Sequence, residues 1–282
     1  MFKFQRTDIT VYTLAIIILS APIIGYAQKN STESHRIKYS TPSSSNASTV
    51  SEPKSKKFST LVRRLKKQGY DITPLLQDPR FKLYDGISDR FRQSAEKKSP
   101  DFKSYKKILG FEKKREQIAG FMRTHQDQLE KAEKTFGIPK YVISAIIGIE
   151  SDFGQNTGNY NPFNAYVSMY AENYRKEFAF NQIKHLLIFV RKHNLDVFDL
   201  KSSYAGAMTF GQFIPYSLNK WFIGDDITDM NDNIMSVANY LSYFKKRTGS
   251  VKKAVLRYNP SHLYTKAVLE LAHDAKKQVK AS

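Results

Sequence analysis

Residues 140–149 are almost entirely apolar, and a carboxylic acid, Glu150, follows them directly. Six of the eight positions before Glu150 are aliphatic, namely Val142, Ile143, Ala145, Ile146, Ile147 and Ile149. A helix with apolar residues on every face is buried on most sides, so the rest of the chain must pack around it. The sequence therefore predicts a core helix that ends in a carboxyl group.

A carboxyl group in that position is a candidate for acid catalysis. Partial burial disfavours its charged form and raises its pKa, so the group can stay protonated near neutral pH and act as a general acid. The alternative is a glutamate at a helix end that faces water or a neighbouring lysine. Asp152 is interpreted as a solvated or capping carboxylate, because position i+2 points away from Glu150 on a helix. No second carboxylate is placed for a two-carboxylate glycosidase.

Helical periodicity dominates the rest of the chain from residue 58 onward. The pattern predicts helices at 58–68, at 111–136 as one long helix ended by Gly137 and Pro139, at 181–193, at 234–246 and at 261–277. A turn or helix start is predicted at 71–74. Period-two strands are scarce and no internal repeat is visible. We expect a mainly α domain, α+β at most, over residues 58–280.

The N-terminus has the pattern of an export signal. Lys3 and Arg6 precede an apolar run at 11–24, and small residues lead up to Ala27. Residues 1–27 are therefore predicted to be a signal peptide, with an uncleaved inner-membrane anchor as the alternative. The run is shorter than the ~20 residues that span a bilayer. Residues 28–57 are rich in Ser, Thr and Lys and are predicted to be a disordered linker.

The composition narrows the classes of partner and cofactor. The formal charge of +19 and the sequence pI of about 9.8 favour a polyanionic partner: nucleic acid, acidic lipid or an anionic cell-wall polymer. The export signal argues against nucleic acid. The chain has no cysteine, and its six histidines show no paired ligand spacing, so we expect no disulfide, metal or cofactor.

Two further segments carry groups suited to a sugar. Residues 202–215 combine small residues with Gln212, whose amide both donates and accepts hydrogen bonds. Close helix packing is the structural alternative for these small residues. Tyr258 and Asn259 precede Pro260, and with Tyr264 they place aromatic faces and an amide near a turn.

Together these stretches resemble the lytic transglycosylases of the membrane-bound lytic transglycosylase B type, which have a lysozyme-like catalytic domain. The resemblance runs from about residue 107 to 272. It is carried by GIPKYVISAIIGIESDFG, SSYAGAMTFGQFIP, DNIMSVANYL and RYNPSHLYTKAVLEL, in that order.

The resemblance implies a role for each matching residue. Glu150 matches the catalytic acid and base, and the matching substrate-binding residues are Ser203, Gln212, Tyr258, Asn259, Tyr264, Arg175 and Lys176. The last two match a basic pair suited to peptide carboxylates. The implied reaction cleaves the β-1,4 bond between N-acetylmuramic acid and N-acetylglucosamine without water. Peptidoglycan glycan strands would be the partner. The export signal at the N-terminus predicts a periplasmic location, with peripheral association to membrane or cell wall as a further expectation.

Two departures from the family pattern affect these expectations. Phe153 stands where the family usually has Trp, and only about 45 residues separate Gln212 from Tyr258, where larger members carry an inserted small domain. The extended groove and a calcium loop are therefore in doubt, since the aspartates at 225, 226, 229 and 232 lack the calcium-loop pattern.

Three other functions stay open at this point, and so does the oligomeric state. A hydrolytic muramidase would share the acid but deliver water to the sugar. A non-catalytic peptidoglycan-binding module would not need the acid. A basic membrane-surface protein should have a strongly one-sided basic helix, whereas the basic residues here are spread along the chain.

Overall fold

The computed structural model describes residues 58–94, 98–99 and 101–281. The predicted signal peptide at 1–27 and linker at 28–57 lie outside these residues. Within them, no helix is both long and apolar enough to cross a membrane.

Helices form most of the described chain. Their bounds are α1 Ser59–Lys66, α2 Thr73–Gln77, α3 Ile87–Arg92, α4 Phe102–Leu109, α5 Phe111–Thr124, α6 Gln126–Phe136, α7 Lys140–Ser151, α8 Pro162–Ala171, α9 Lys176–Lys192, α10 Pro215–Trp221, α11 Met230–Thr248, α12 Val251–Tyr258 and α13 His262–Ala281. A 3₁₀ turn lies at Val197–Asp199. The described residues contain two isolated antiparallel bridges, Tyr160 with Ser202 and Met208 with Phe213, and no longer strand. The prediction of a mainly α fold is confirmed.

Helix α7 is the centre of the core, as its sequence predicts. Every residue from Val142 to Ser151 is buried, and α7 packs against α5, α6, α11 and α13. Gly137 adopts a left-handed conformation at the end of α6, and Pro139 precedes the first turn of α7. These two residues therefore separate the helices as expected.

The prediction of one helix over 111–136 is wrong. Helix α5 ends at Thr124 and α6 begins at Gln126, because His125 leaves helical geometry with φ −114° and ψ 27°. The break lets the two segments pack in different places. Helix α5 buries Phe121 and Met122 and packs against α13 and α7, whereas α6 buries Leu129 and Ala132 and packs mainly against α11.

The N-terminal helices are held to α8 and α9 by charged groups. Arg64 of α1 donates two hydrogen bonds, of 2.7 and 2.6 Å, to the carboxylate of Glu177 at the start of α9. The carboxylate of Glu172 accepts from the backbone amides of Ile87 and Ser88 in the first turn of α3. These contacts fix α8 and α9, which lie beside the segment that contains Gln212.

Replacing a core side chain of α7 tests the packing. Ile146 is fully buried, so Ile146→Ala should lower the free energy of unfolding by about 2–5 kcal/mol through lost burial and the cavity left behind. The matched control is Ile108→Ala, because Ile108 is 48% exposed and its loss should change stability by less than about 0.5 kcal/mol. Equilibrium urea unfolding measures both. Equal losses would show that α7 is not the centre of the core.

Candidate functional site

Glu150 lies in the last turn of α7 and is only 3% exposed. The hydroxyl of Tyr264, on α13, donates a hydrogen bond of 2.7 Å to its Oε1. Burial raises the pKa of the Tyr264 phenol well above its ordinary value, and the charge of Glu150 acts in the same direction. Tyr264 therefore stays protonated and serves as a permanent donor to the carboxyl group. The raised pKa expected for Glu150 itself stays a prediction.

The turn after α7 is strained and is held by an ion pair. Asp152 and Phe153 both have left-handed backbones, with φ 53° and 59°. Asp152 occupies the predicted cap position, but its carboxylate is not simply solvated, because Lys113 and Lys114 bind it at 2.9 and 2.7 Å. Burial opposes its charge, but hydrogen bonds from the two lysines hold the pKa of Asp152 below its ordinary value.

An aromatic ring covers the helix next to Glu150. The ring of Phe153 lies so close to Gly148 that a Cβ atom there would be 2.5 Å from it. A glycine is therefore required one turn before the end of α7. The centroids of the rings of Phe153 and Phe121 are 5.1 Å apart, so the Phe153 ring packs between Gly148 of α7 and Phe121 of α5.

The small residues of the 202–215 segment are used for close packing. A Cβ atom at Gly206, where φ is 76°, would lie 2.3 Å from the ring of Tyr166, whose hydroxyl donates to the Gly206 carbonyl over 3.0 Å. The hydroxyl of Tyr258 donates to the Gly211 carbonyl over 2.5 Å. These glycines pack closely, as the structural alternative expects, and this packing positions the segment.

Gln212 lies at the end of a strained turn in this segment. Its φ is 52°, it is 3% exposed, and its Nε2 donates to the carbonyls of Thr209 and Thr157 at 3.0 and 3.5 Å. Its Oε1 is buried and has no hydrogen-bond partner among the described residues. A buried acceptor of this kind suits a ligand that carries an N–H or O–H group.

Thr209 is a feature of this turn that sequence reasoning missed. It is β-branched yet has φ 71°, a conformation that such residues rarely adopt, and its buried hydroxyl has no partner within the described part of the chain. Backbone strain of this kind concentrates at functional sites. No propensity rule places a threonine in a left-handed turn, so the sequence carries no signal for it.

Ser203 is placed differently from a sugar-lining residue. It is fully buried, its amide donates to the Ala207 carbonyl, and its hydroxyl lies 3.3–3.4 Å from the backbone of Ala207. The hydroxyl therefore closes a turn within the segment. Contact between Ser203 and a sugar stays a prediction.

The segment at 258–264, which contains Tyr258, Asn259 and Tyr264, contacts both Glu150 and the 202–215 segment. Tyr264 binds Glu150, and Tyr258 binds Gly211 next to Gln212. Burial raises the pKa of Tyr258 well above its ordinary value, and the charge of Glu150 acts in the same direction. Asn259 is 2% exposed, and its Nδ2 has no hydrogen-bond partner among the residues described. The structure therefore brings the three sequence motifs together around Glu150.

Arg175 and Lys176 lie at the start of α9. The guanidinium of Arg175 is 4.1 Å from the centroid of the Phe178 ring, and burial lowers its pKa. Its charge also acts on Tyr166, which packs against Gly206. Lys176 is exposed, with Nζ 4.8 Å from the ring of Tyr170. Neither residue forms an ion pair with any carboxylate that the structure describes.

The aspartates near residue 229 are used for local structure. Asp226 accepts from the amide and hydroxyl of Thr228, and Asp229 caps the first turn of α11. Across the described residues, no group of three or more His, Asp or Glu side chains is arranged to hold a metal ion.

Comparison with known proteins places this site in context. A family model described as transglycosylase SLT domain matches residues 52–252. Membrane-bound lytic murein transglycosylase B of Escherichia coli (strain K12) is 31% identical over 130 residues, which are 44% of this chain and 36% of that protein. The chain thus aligns with about a third of the length of this curated relative.

Two solved structures share the fold. Soluble lytic transglycosylase SltB1 from Pseudomonas aeruginosa has a TM-score of 0.70 at 23% identity, over 80% of this chain and 99% of that one. SltB3 from Pseudomonas aeruginosa, in complex with NAG-NAM-pentapeptide, has a TM-score of 0.68 at 19% identity, over 80% of each chain. The lysozyme-like, mainly α fold predicted from the sequence is therefore confirmed.

A pair of glycine substitutions tests how tightly the 202–215 segment packs. Gly69 and Gly206 both have left-handed backbones, but a Cβ atom at Gly69 would meet nothing within 4 Å, whereas one at Gly206 would overlap the Tyr166 ring. Gly69→Ala should lower the free energy of unfolding by about 1–2 kcal/mol from backbone strain alone. Gly206→Ala should cost about 1–3 kcal/mol more from overlap with Tyr166. Thermal unfolding measures the difference, and equal losses would mean that Tyr166 moves aside freely.

Proposed function

Since the chain belongs to the transglycosylase SLT domain family, we propose that it is a lytic transglycosylase of peptidoglycan. It cleaves the β-1,4 bond between N-acetylmuramic acid and N-acetylglucosamine and leaves a 1,6-anhydro ring on the muramic sugar. The observation that carries this proposal is the buried carboxyl of Glu150, which accepts a hydrogen bond from Tyr264 at the meeting point of the three motifs.

In the first step Glu150 acts as a general acid. Its proton goes to the glycosidic oxygen as the bond to the anomeric carbon of the muramic sugar breaks. We assign the transferred proton to Oε2, because Oε1 accepts from Tyr264. The N-acetyl group of the substrate stabilises the cationic anomeric carbon, as in substrate-assisted glycosidases. Asp152, the other carboxylate of this turn, is bound by two lysines and is not needed as a nucleophile.

In the second step the Glu150 carboxylate takes the proton of the muramic 6-hydroxyl, and the 6-oxygen attacks the anomeric carbon to close the anhydro ring. One residue fills both roles, because donating its proton leaves the base that the second step requires. The Tyr264 hydroxyl favours this charged form, because a donor to a carboxylate stabilises its negative charge.

The proposed sugar contacts lie in the strained turn at 209–212 and in the segment at 258–264. The buried Oε1 of Gln212 is suited to accept from the acetamido N–H or a sugar hydroxyl, and Nδ2 of Asn259 is suited to donate to a sugar oxygen. Ser203 keeps this segment in place through Ala207 and is proposed to reach the sugar only if that turn rearranges. Tyr258 holds Gly211 and thereby Gln212.

Arg175 and Lys176 are proposed to bind carboxylates of a stem peptide. Both are cations without an ion-pair partner in the described part of the chain, and Arg175 is linked to the 202–215 segment through Tyr166. The complex of SltB3 with a pentapeptide-bearing fragment supports a substrate of this type. We further propose that residues 1–27 direct export, so that the enzyme acts in the periplasm.

Replacing the proposed acid tests the catalytic role. Glu150→Gln keeps the size of the side chain but removes the acidic proton, so turnover of purified sacculi should fall by about 10²–10⁴-fold while sacculus binding persists. The control is Glu116→Gln, the same change at an exposed position of α5, which should leave turnover unchanged. Full activity of Glu150→Gln would indicate a binding module or a different acid.

The hydrogen bond from Tyr264 has its own test. Tyr264→Phe removes a donor to the carboxylate, so the charged form loses about 1.5–3 kcal/mol of stabilisation and the carboxyl group keeps its proton to higher pH. The alkaline limb of the pH–rate profile should move up by about 1–2 pH units, and kcat should fall because the base form is disfavoured. An alkaline limb at the same pH as in the wild-type enzyme would show that Tyr264 does not act on Glu150.

A further inference from the structure

Three aromatic residues form a ledge on the surface of α10 and α11. Tyr216 and Tyr243 are both 36% exposed, and each packs against Trp221, which is 8% exposed. The centroid of the Trp221 ring is 5.9 Å from that of Tyr216 and 5.3 Å from that of Tyr243. We call Tyr216, Trp221 and Tyr243 the aromatic ledge. None of its three residues takes part in the catalytic steps proposed above.

Two cations stack on the ledge. The guanidinium of Arg247 lies 3.4 Å from the ring centroid of Tyr243, and Nζ of Lys220 lies 5.5 Å from that of Tyr216. Neither cation has an ion-pair partner among the carboxylates that the structure describes. Both residues are exposed, so their charges are available to an anion.

The helical segments around the ledge carry positive charge only. No acidic residue occurs at 178–192, 215–221 or 233–248, which contain Lys184, Lys220 and Arg247. The ring of His185 lies 5.0 Å from that of Tyr216, and burial with the charges of Lys184 and Lys220 lowers its pKa to about 4. Asp225, beyond the end of α10, acts on His193 at the end of α9. The ledge is thus complementary to a polyanion.

The ledge extends away from the candidate active site. Asn233 of α11 accepts from the amides of Phe210 and Gly211, next to Gln212, and so marks the end of α11 that touches the site. Tyr243 follows ten residues later, about 15 Å further along the helix. A ligand on Tyr243 therefore lies beyond the reach of groups that hold one sugar at Gln212.

The character of the ledge favours a sugar polymer over a membrane. A membrane-inserting surface presents Trp, Phe or Leu side chains, but Trp221 is only 8% exposed and neither α10 nor α11 exposes a large aliphatic side chain. Tyrosine rings combine an apolar face with a polar hydroxyl and lose little conformational entropy on binding. Tyrosine rings with cations stacked on them match a glycan that carries carboxylates.

We propose that the aromatic ledge, with Lys220 and Arg247, is a second binding surface for a carboxylate-bearing glycan strand, separate from the residues around Glu150. Its ligand class rests on the proposed function. The ledge holds a distant part of the same polymer, which keeps the enzyme on a long strand between cleavage events and contributes nothing to a fragment too short to span both places.

The test separates binding from cleavage by using the full chain with Glu150→Gln. Dissociation constants are measured for long purified glycan strands and for a disaccharide pentapeptide. Two double variants are made in this background: Tyr216→Leu with Tyr243→Leu, and Lys220→Gln with Arg247→Gln. Each should weaken long-strand binding about tenfold, as expected for two lost contacts of about 0.7 kcal/mol each. Binding of the short fragment should not change.

The matched control replaces Lys131 and Lys134, two exposed lysines of α6, with Gln and should change long-strand binding less than twofold. Thermal unfolding checks that every variant folds.

Unchanged long-strand binding would overturn the proposal, and so would an equal loss for the short fragment, which would make the ledge part of the catalytic groove. Loss of binding only to phosphatidylglycerol vesicles would identify a lipid surface instead. A wild-type chain that cleaves no sacculi would overturn the proposed function. If the ledge variants still bind long strands more weakly in that case, the second binding surface stands.

Discussion

The burial of one carboxyl group at the end of an aliphatic helix is the constraint on which the other features of the site depend. Helix α7 has apolar residues on every side, and four other helices cover it, so Glu150 lies in a region with little water. Burying a carboxyl group is costly unless hydrogen bonds compensate. Tyr264 supplies such a bond from a helix 114 residues further along the chain, so the site forms only when the fold is complete.

Backbone strain is concentrated around the same group. Asp152 and Phe153 follow Glu150 with left-handed backbones, and Thr209 and Gln212 adopt the same conformation on the opposite segment. Each such residue costs on the order of 1–3 kcal/mol and persists only where surrounding contacts hold it. Here the contacts are visible: two lysines hold Asp152, and Asn233 holds the turn between Thr209 and Gln212. The core therefore supports a site that would not keep this shape alone.

Much of the fold and part of the site could be predicted from local sequence. The aliphatic run before Glu150 specifies a buried helix, and Gly137 with Pro139 specifies its boundary, because these signals act over a few residues. The break at His125 could not be predicted, since residues 124–126 contain no glycine or proline, and the main packing partners of α5 and α6 are helices distant in sequence. Other features of the site could not be predicted either. The lysines that bind Asp152 and the Asn233 side chain that holds the turn after Thr209 are distant in sequence, and spacing does not reveal such contacts. The bond of the Ser203 hydroxyl to the Ala207 backbone depends on the shape of the folded turn.

In the proposed reaction the muramic 6-hydroxyl, and not water, attacks the anomeric carbon. Mass spectrometry of fragments released from purified sacculi in H₂¹⁸O tests it most directly, because the two reactions differ by one molecule of water in the product. We expect muramic ends that are lighter than the reducing sugar by one water, carry no ¹⁸O and resist borohydride reduction. Reducible muramic ends labelled with ¹⁸O would contradict it and identify a hydrolytic muramidase.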